Sequence, residues 1–363
     1  MKKNILIVGS TGKLGSKLLN YINREKISVK AITCFSNKKK LLNQKKKFNI
    51  NKSFILSLPS DKNDFLNFIS KFKFSIIYFL DYGSSSLLFL DIILKNNSGC
   101  TIAIANKEMI VTGGHLLRRK IFKSKNNFIP LDSEHFSLFR LNPKDSETKF
   151  IYITASGGPF YFNKKINLNN VSQKEVVSHP KWKMGINNSI DSSNFVNKIL
   201  EIFELSIIFD ISISKINFLI SREAFIHSLI LFEDNTISIN CFDNNMLIPL
   251  IKPLTDNFRS NDLSLKTKKY LDTRNLKLEI FNDKRFKIFK HLKKIKNFTQ
   301  NQQISFMLLN NYAHTIYLNG NLSYSEIIDF IFNNIEHQKD MNFSSFHDIL
   351  QYVEELKSKY ENL

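Results

Sequence analysis

Short apolar runs alternate with helical patterns over the first third of the chain. The runs span residues 4–8, 29–34, 53–58, 76–80 and 101–105. Apolar runs of this length, separated by amphipathic stretches, are typical of buried parallel strands joined by helices. We therefore predict an α/β fold whose N-terminal domain, residues 1–130, is a Rossmann-like parallel sheet that ends at Pro130.

The pattern changes beyond Leu131. Strand-like runs at residues 151–155 and 236–241 flank a long helical pattern at residues 193–209. This mixture predicts a central α+β domain over residues 131–255. We expect it to be the catalytic and metal-binding domain, because the candidate acidic and phosphate-binding residues fall within it.

The C-terminal part of the chain has helical periodicity. Residues 256–275 are polar and weakly periodic, which predicts a linker. Apolar positions in residues 295–318 and 324–335 recur at helical spacing, and one more helix is expected after Glu336. Residues 276–363 therefore predict a small helical domain.

Chain length and cysteine content restrict the class of protein to which this sequence can belong. The 363 residues suffice for two or three domains of about 100–200 residues each. No stretch of about 18 apolar residues occurs, so no membrane-spanning segment is expected. A strand that begins near Asn4 leaves no room for a targeting peptide, which favours the cytoplasm. Cys34, Cys100 and Cys241 are odd in number and lack metal-site spacing, so buried reduced thiols are expected.

The net charge of +20 raises the possibility of a nucleic-acid binder. However, Lys, Asn, Ile and Phe are in excess along the whole chain, and no helix-turn-helix, zinc-finger or RNP signature accompanies the charge. We expect no nucleic-acid partner and no membrane partner. A basic surface that attracts phosphorylated small molecules is the expected consequence.

A glycine-rich turn follows the first predicted strand. Gly9, Gly12 and Gly15 are spaced for a backbone that turns tightly and approaches a pyrophosphate at a helix N-terminus. The alternative is an ordinary tight turn between strand and helix. The second strand ends at Asn37 without a carboxylate and is followed by three lysines. This favours NADPH over NADH, although a solvated lysine run remains the alternative.

An acidic pair begins the central domain. Asp132 and Glu134 are two residues apart, so in extended backbone their side chains point the same way. Two such carboxylates suit Mg²⁺ or Mn²⁺. The alternative is a surface acidic pair without a metal.

A third carboxylate lies in the helical pattern at residues 191–201. We predict a helix capped by Asp191 or Ser192. One face would then present polar residues suited to hold phosphate near the cap and metal one turn further on. These residues are Asn194, Asn197, Lys198 and Glu201. The alternative is an ordinary polar helix face.

Two loops of the central domain complete the candidate chemistry. Ser156 and the two glycines after it offer a hydroxyl and free amides to a phosphate, or else form a simple loop. Trp182, the sole tryptophan, lies in a polar loop at residues 178–189. We expect this loop to be a lid that covers a small polar substrate, with a core tryptophan as the alternative.

The order of these motifs resembles the 1-deoxy-D-xylulose 5-phosphate reductoisomerase family over nearly the whole chain. The matching blocks are GSTGKLG at residues 9–15, IAIANKE at 102–108, PLDSEH at 130–135, TASGGPF at 154–160, HPKWKMG at 179–185 and DSSNFVNKILE at 191–201. The resemblance implies an NADPH- and metal-dependent homodimer that converts 1-deoxy-D-xylulose 5-phosphate to 2-C-methyl-D-erythritol 4-phosphate in non-mevalonate isoprenoid biosynthesis.

The resemblance also implies roles for individual residues. The metal ligands are Asp132, Glu134 and Glu201, and the catalytic residues are Lys107, Glu134 and His179. The substrate-binding residues are Ser133, Glu134, Ser156, His179, Ser192, Asn197, Lys198 and Glu201, under a lid that contains Trp182 and Met184. The cofactor-binding residues are Gly9, Ser10, Thr11, Gly12, Lys13, Leu14, Gly15, Asn37, Asn106, Lys107, Glu108 and Gly185.

The chain departs from the family pattern at several positions. Asn187 and Tyr161 stand where a Lys and an Arg are usual, Ser221 begins the segment in place of HPQS, and residues 309–313 replace NAANE. We expect several of these positions to lie at the rim of the lid and the substrate pocket. Two alternatives therefore stay open: a paralogous NADPH- and metal-dependent oxidoreductase for another phosphorylated hydroxyketone, and a degenerate non-catalytic homologue.

Overall fold

The computed structural model describes residues 4–178, 185–254, 276–336 and 341–363. The strands are β1 Ile5–Val8, β2 Val29–Cys34, β3 Lys52–Ile55, β4 Ile76–Phe79, β5 Thr101–Ile104, β6 Asn127–Pro130, β7 Thr148–Ala155, β8 Ile216–Ile220, β9 Ile226–Phe232, β10 Ile237–Cys241 and β11 Glu279–Ile280. The predicted linker, residues 256–275, lies outside the described residues.

The helices of the described residues alternate with the strands in the first part of the chain and follow one another in the last. They are α1 Lys13–Arg24, α2 Lys38–Lys47, α3 Pro59–Lys71, α4 Ser86–Asn96, α5 Lys107–Lys123, α6 Ser133–Leu141, α7 Gln173–Val176, α8 Ile186–Ser193, α9 Val196–Phe209, α10 Leu247–Ile251, α11 Leu292–Ile295, α12 Gln300–Leu318, α13 Ile327–Asn334 and α14 Phe346–Tyr360. Short 3₁₀ turns are Leu168–Asn170, Ile213–Lys215, Lys252–Leu254, Lys287–His291 and Tyr324–Glu326.

The N-terminal sheet is parallel and has the order β3-β2-β1-β4-β5-β6. All four residues of the central strand β1 are buried, because helices cover both faces of such a sheet. The order reverses direction between β1 and β4, which is where open α/β sheets bind ligands. The predicted parallel sheet is confirmed. The sequence missed its last strand, β6.

A second, mixed sheet has the order β10-β9-β7-β8-β11. Strand β7 pairs in parallel with β8 and antiparallel with β9. Three of its strands, β8, β9 and β11, were not predicted. β11 has only two residues, and short apolar runs such as β8 and β9 cannot be told from buried helix segments by periodicity alone.

The chain forms two compact units. The first contains the described residues of Met1–Phe139, Asn245–Ser264 and Ser345–His347, and the second those of Arg140–Asn244, Leu265–Ser344 and Asp348–Leu363. The three-domain division drawn from the sequence stays a prediction. Within the described residues, no helix is both long and apolar enough to cross a membrane.

The free cysteines only partly follow the sequence prediction. Cys34 and Cys100 are buried, as predicted, whereas Cys241 is exposed. Cys241 ends β10, whose alternate residues are exposed because they point to a face of the sheet that solvent reaches. The prediction of three buried thiols was wrong for this one.

Phenylalanines build much of the core of the second unit. Phe306 on α12 is fully buried, and its ring centroid lies 5.7 Å from that of Phe203 on α9 and 5.9 Å from that of Phe332 on α13. Such tilted and edge-on pairs fill space between helices densely. The excess of phenylalanine in the composition is therefore used to fix α9 against the C-terminal helices.

We expect Phe306→Ala to lower the free energy of unfolding by about 3–5 kcal/mol, because it leaves a cavity between three helices. Phe35→Ala is the control: this ring is 74% exposed, and its loss should change stability by no more than about 0.5 kcal/mol. Urea unfolding followed by circular dichroism measures both. Equal losses in the two variants would contradict this account of the core.

Candidate active site

The predicted nucleotide turn lies at the carboxyl end of β1. Gly9 has a φ of +84°, and a Cβ there would lie 2.5 Å from the backbone nitrogen of Asp81. A Cβ at Gly15 would lie 2.6 Å from the Cα of Ser10. Both positions therefore require glycine. At Gly12, by contrast, the nearest atom to an added Cβ is 3.5 Å away. Gly12 is the exposed N-cap of α1, and no side chain caps this helix.

Helix α2 holds the turn from the side. The buried Ser10 hydroxyl donates to Gln44 Oε1 at 2.8 Å, and Gln44 Nε2 donates to the Ser10 carbonyl at 2.9 Å. Lys40 Nζ donates to the Thr11 carbonyl at 2.6 Å. Because Gln44 and Lys40 come from α2, the turn is fixed by the helix that follows the second strand. Sequence reasoning did not find these three hydrogen bonds.

The segment predicted to favour NADPH is the N-terminus of α2. Asn37 is the N-cap, and its side chain accepts from Lys40 N at 3.1 Å. Residues 35–40 are exposed, with no carboxylate among them. A helix N-terminus with lysines attracts an anion. The local structure therefore agrees with what a 2′-phosphate needs.

A buried carboxyl group that sequence reasoning missed lies beside this turn. Asp81 follows β4, and its carboxylate accepts from the Ser86 hydroxyl at 2.5 Å and from Asn106 Nδ2 at 3.2 Å. Burial raises the pKa of Asp81 to about 6, and the two hydrogen bonds offset part of that rise. The available signal was a single acidic residue directly after an apolar strand.

Asn106 connects Asp81 to helix α5. It is the N-cap of α5, where its Oδ1 accepts from Met109 N at 2.9 Å, while its Nδ2 also donates to the Gly83 carbonyl at 2.9 Å. Lys107 and Glu108 are the first two residues of that helix. The predicted cofactor residues Asn106, Lys107 and Glu108 thus lie at the carboxyl end of β5, on the same edge of the sheet as Gly9.

The acidic pair has a different backbone from the predicted one. Asp132 precedes α6 and accepts from Glu134 N at 3.1 Å, so it caps the helix, and Glu134 lies in the first helical turn. The extended arrangement was therefore wrong, because the capping bond starts a helix at Ser133. Ser133 donates its hydroxyl to Glu134, and His135 Nδ1 lies 3.5 Å from Asp132 Oδ1. Both carboxylates are half-buried.

The helix predicted for residues 193–209 begins later, at Val196, as α9, and residues 191–193 end a separate helix, α8. Phe195, with a φ of +68°, breaks the path between them. Asp191 and Ser192 therefore end α8 and do not cap α9, which corrects the predicted cap. Asn194 is likewise off the α9 face, and its Oδ1 accepts from Val196 N at 3.0 Å. The buried Phe195 ring holds this break, since it packs against Phe281 with centroids 4.5 Å apart.

Helix α9 does bring three of the predicted residues together. Asn197 donates to one oxygen of Glu201, and Lys198 forms an ion pair with the other. The Lys198 and Glu201 side chains are only 9% and 2% exposed. A buried pair of charges is costly even when matched, so an ion pair here is weak evidence for stability and better evidence for chemistry.

The glycine loop after β7 lies against the end of α8. Gly157 and Gly158 have positive φ values of 87° and 57°, and a Cβ at Gly158 would lie 2.8 Å from the Ser192 carbonyl oxygen. Ser156 and Ser192, two predicted phosphate ligands, are therefore in adjoining segments. This close approach explains why two glycines stand there.

Other predicted residues are placed differently or not at all. His179, Trp182 and Met184 lie outside the described residues. Gly185 is the N-cap of α8. Asn187 is half-buried, and Tyr161 and Ser221 are buried. The Tyr161 ring packs near Phe195 and Phe286, and the expected place of these residues at the pocket rim stays a prediction.

These features define a class of protein. A parallel sheet with a glycine turn at its switch point is a dinucleotide-binding domain. The chain adds a second unit with buried ionisable residues and a glycine loop. This combination is typical of a dinucleotide-dependent oxidoreductase.

Comparison with known proteins gives the family. The family model of the 1-deoxy-D-xylulose 5-phosphate reductoisomerase C-terminal domain matches residues 128–209. Relatives bearing that enzyme name are 31% identical in Pelagibacter ubique, over 97% of both chains, and 30% identical in Clostridium novyi, over 99% of both. The chain belongs to the 1-deoxy-D-xylulose 5-phosphate reductoisomerase family. The resemblance drawn from the motifs is confirmed.

Solved structures agree on the fold. The reductoisomerase from Zymomonas mobilis in complex with NADPH has a TM-score of 0.84 at 24% identity and covers 99% of this chain and 98% of its own. A DOX-P reductoisomerase in complex with NADPH, fosmidomycin and magnesium has a TM-score of 0.86 at 22% identity, with the same coverage of the two chains.

The pKa of Asp81 predicts a pH effect on stability. The folded protein binds this proton more tightly than the unfolded chain, so the stabilisation is complete below about pH 4 and is lost as pH rises through about 6. Asp81→Asn, which is neutral throughout, should reduce the fall in unfolding free energy between pH 4 and pH 7 by about 2–3 kcal/mol. Urea titrations across that range measure it. An unchanged pH dependence would contradict the burial of a charged Asp81.

Proposed function

We propose that this chain converts 1-deoxy-D-xylulose 5-phosphate to 2-C-methyl-D-erythritol 4-phosphate with NADPH and Mg²⁺ or Mn²⁺, in non-mevalonate isoprenoid biosynthesis. The observation that carries the proposal is the likeness to enzymes of that name over 97–99% of both chains. Likeness over one domain would support only a shared cofactor. Full-length likeness also includes the segments expected to bind metal and substrate.

NADPH would be held by the turn at residues 9–15, by Asn37 and by the N-terminus of α5. The fit rests on two features: an exposed Gly12, where even an added Cβ would meet no clash, and a helix α1 whose N-terminus has no side-chain cap. Such an N-terminus directs amide donors at a pyrophosphate. Bound NADPH supplies the hydride that reduces the rearranged aldehyde. Asn106, Lys107, Glu108 and Gly185 complete the proposed cofactor residues.

The divalent metal would be held by Asp132, Glu134 and Glu201. Asp132 and Glu134 are half-buried at the start of α6, and Glu201 is buried on α9. Carboxylate oxygens are the ligands that Mg²⁺ and Mn²⁺ prefer. The metal, when bound, polarises carbonyl and hydroxyl oxygens of the substrate as a Lewis acid. On α9, Lys198 balances the charge of Glu201 and Asn197 orients its carboxylate.

The substrate phosphate would be held by Ser156, Ser192, Asn197 and Lys198, together with His179. The first two lie in adjoining segments, and the next two share the first turn of α9. Binding energy at this non-reacting end orients the reacting carbons. Ser133 and Lys107 would contact the reacting part, with Trp182 and Met184 closing over it to exclude water.

A homodimer in the cytoplasm is also part of this proposal. Its support is the family alone. Light scattering coupled to gel filtration distinguishes a dimer of about 84 kDa from the 42.3 kDa monomer.

The proposal is tested by NADPH oxidation with 1-deoxy-D-xylulose 5-phosphate and Mg²⁺ or Mn²⁺. Glu201→Gln should lower turnover by at least about 100-fold and weaken Mn²⁺ binding in a direct titration, because it removes a proposed ligand. Glu147→Gln is the control, since that side chain is 57% exposed and should leave both unchanged.

The two parts of the proposal fail separately. A folded wild type that binds Mn²⁺ but shows no turnover would contradict the activity. Full turnover and wild-type Mn²⁺ affinity in Glu201→Gln would contradict only the assignment of Glu201 as a ligand.

A further inference from the structure

A buried polar contact joins the end of α8 to helix α12. Asn310 Nδ2 donates to Asp191 Oδ1 at 2.7 Å, and His314 Nε2 lies 2.9 Å from the same oxygen. Asp191 is 4% exposed, His314 is 1% exposed and Asn310 is fully buried. Three polar side chains thus meet in the interior of the second unit, where an unpaired carboxylate would be very costly.

The geometry of α12 suits this contact. Asn310 and His314 are four residues apart, so they lie on one face of the helix, one turn above the other. Both are directed at the same carboxylate oxygen from that face. The long helix α12, which begins with a capping box at Thr299, therefore contacts Asp191 through two side chains.

The residues on either side of Ser192 are fixed by other parts of the same unit. The Tyr324 hydroxyl donates to the Ser193 carbonyl at 2.8 Å. The backbone of the Gly158 loop abuts the Ser192 carbonyl itself. Asp191 is thus one of three anchors around a single residue, and it is the anchor with a carboxyl group.

We propose that Asp191 is a positioning residue that, held by Asn310 and His314, sets the affinity of Ser192 and the following turn for a phosphoryl group. Asp191 points into α12, so it acts through its neighbour and does not touch the ligand. The C-terminal helices thereby take part in substrate binding although they contribute no ligand to it. This inference rests on the proposed function, which assigns Ser192 to the substrate phosphate.

A change in this contact should affect substrate binding more than the chemical step. A shift of Ser192 by a fraction of an ångström weakens hydrogen bonds to the phosphate, which are made in the ground state and the transition state alike. The substrate KM should therefore rise while kcat changes little. The KM for NADPH should change far less, because every proposed cofactor residue except Gly185 belongs to the first unit.

The test exchanges the hydrogen-bond donor, Asn310, and the acceptor, Asp191. Asn310→Asp (N310D) removes the donor and places a second carboxylate against Asp191, and should raise both the substrate KM and the Kd of inorganic phosphate by at least about tenfold. Combining it with Asp191→Asn (D191N) restores a hydrogen bond in the opposite direction. The double variant should recover most of the loss, which a double-mutant cycle measures.

Ser305→Ala (S305A) is the control on the same helix. It removes a buried hydrogen bond of 2.6 Å between Ser305 and Tyr360, away from Asp191. It should lower the melting temperature yet leave phosphate binding unchanged. Should N310D not fold, Asn310→Ala (N310A) takes its place, with the same weakening expected.

Three outcomes would overturn the inference: a wild type that does not bind inorganic phosphate, an N310D that binds it as tightly as the wild type, or an S305A that loses as much affinity as N310D. Phosphate titration needs no turnover. A wild type that binds phosphate but does not oxidise NADPH with 1-deoxy-D-xylulose 5-phosphate therefore fails the proposed function and leaves this inference standing.

Discussion

The free-energy cost of burying charged side chains in an apolar core constrains the packing of the second unit. Helix α9 is buried over almost its whole length, yet it carries Lys198 and Glu201 within it. The two charges are tolerated because they pair with each other and because Asn197 donates to the carboxylate. A purely apolar helix would pack as well or better. The pair is therefore best explained by what it binds.

Much of the N-terminal fold follows from the sequence because local and global preferences agree there. Five apolar runs with glycine or polar turns between them specify a parallel sheet, and the three-glycine spacing specifies its switch point. The predicted strand at residues 29–34 matches β2 at both ends. Sequence reasoning fails where tertiary contacts decide the backbone. Phe195 has no local reason to adopt a positive φ, and only the packing of its ring against other aromatic side chains explains the break before α9.

The candidate site shows the same limit. Residue types identified the carboxylates, the serines and the Asn-Lys pair, because their chemistry is local. The backbone conformation of these residues was harder to predict. Asp132 caps a helix, although the Asp-x-Glu pattern was interpreted as extended. Sequence reasoning selected neither Asp81 nor Asn310, since the role of each depends on a distant partner, and only Asp81 had a local signal, its place after an apolar strand. Long-range hydrogen bonds leave no periodic trace in a sequence.

The proposed reaction rearranges the carbon skeleton of the substrate as well as transferring a hydride to it. The most direct measurement is therefore ¹³C NMR of the product formed from labelled 1-deoxy-D-xylulose 5-phosphate with NADPH and Mg²⁺. The account predicts a branched product, 2-C-methyl-D-erythritol 4-phosphate, formed in equal amount to the NADPH consumed. An unbranched reduced product, or consumption of NADPH with the carbon chain unchanged, would contradict it.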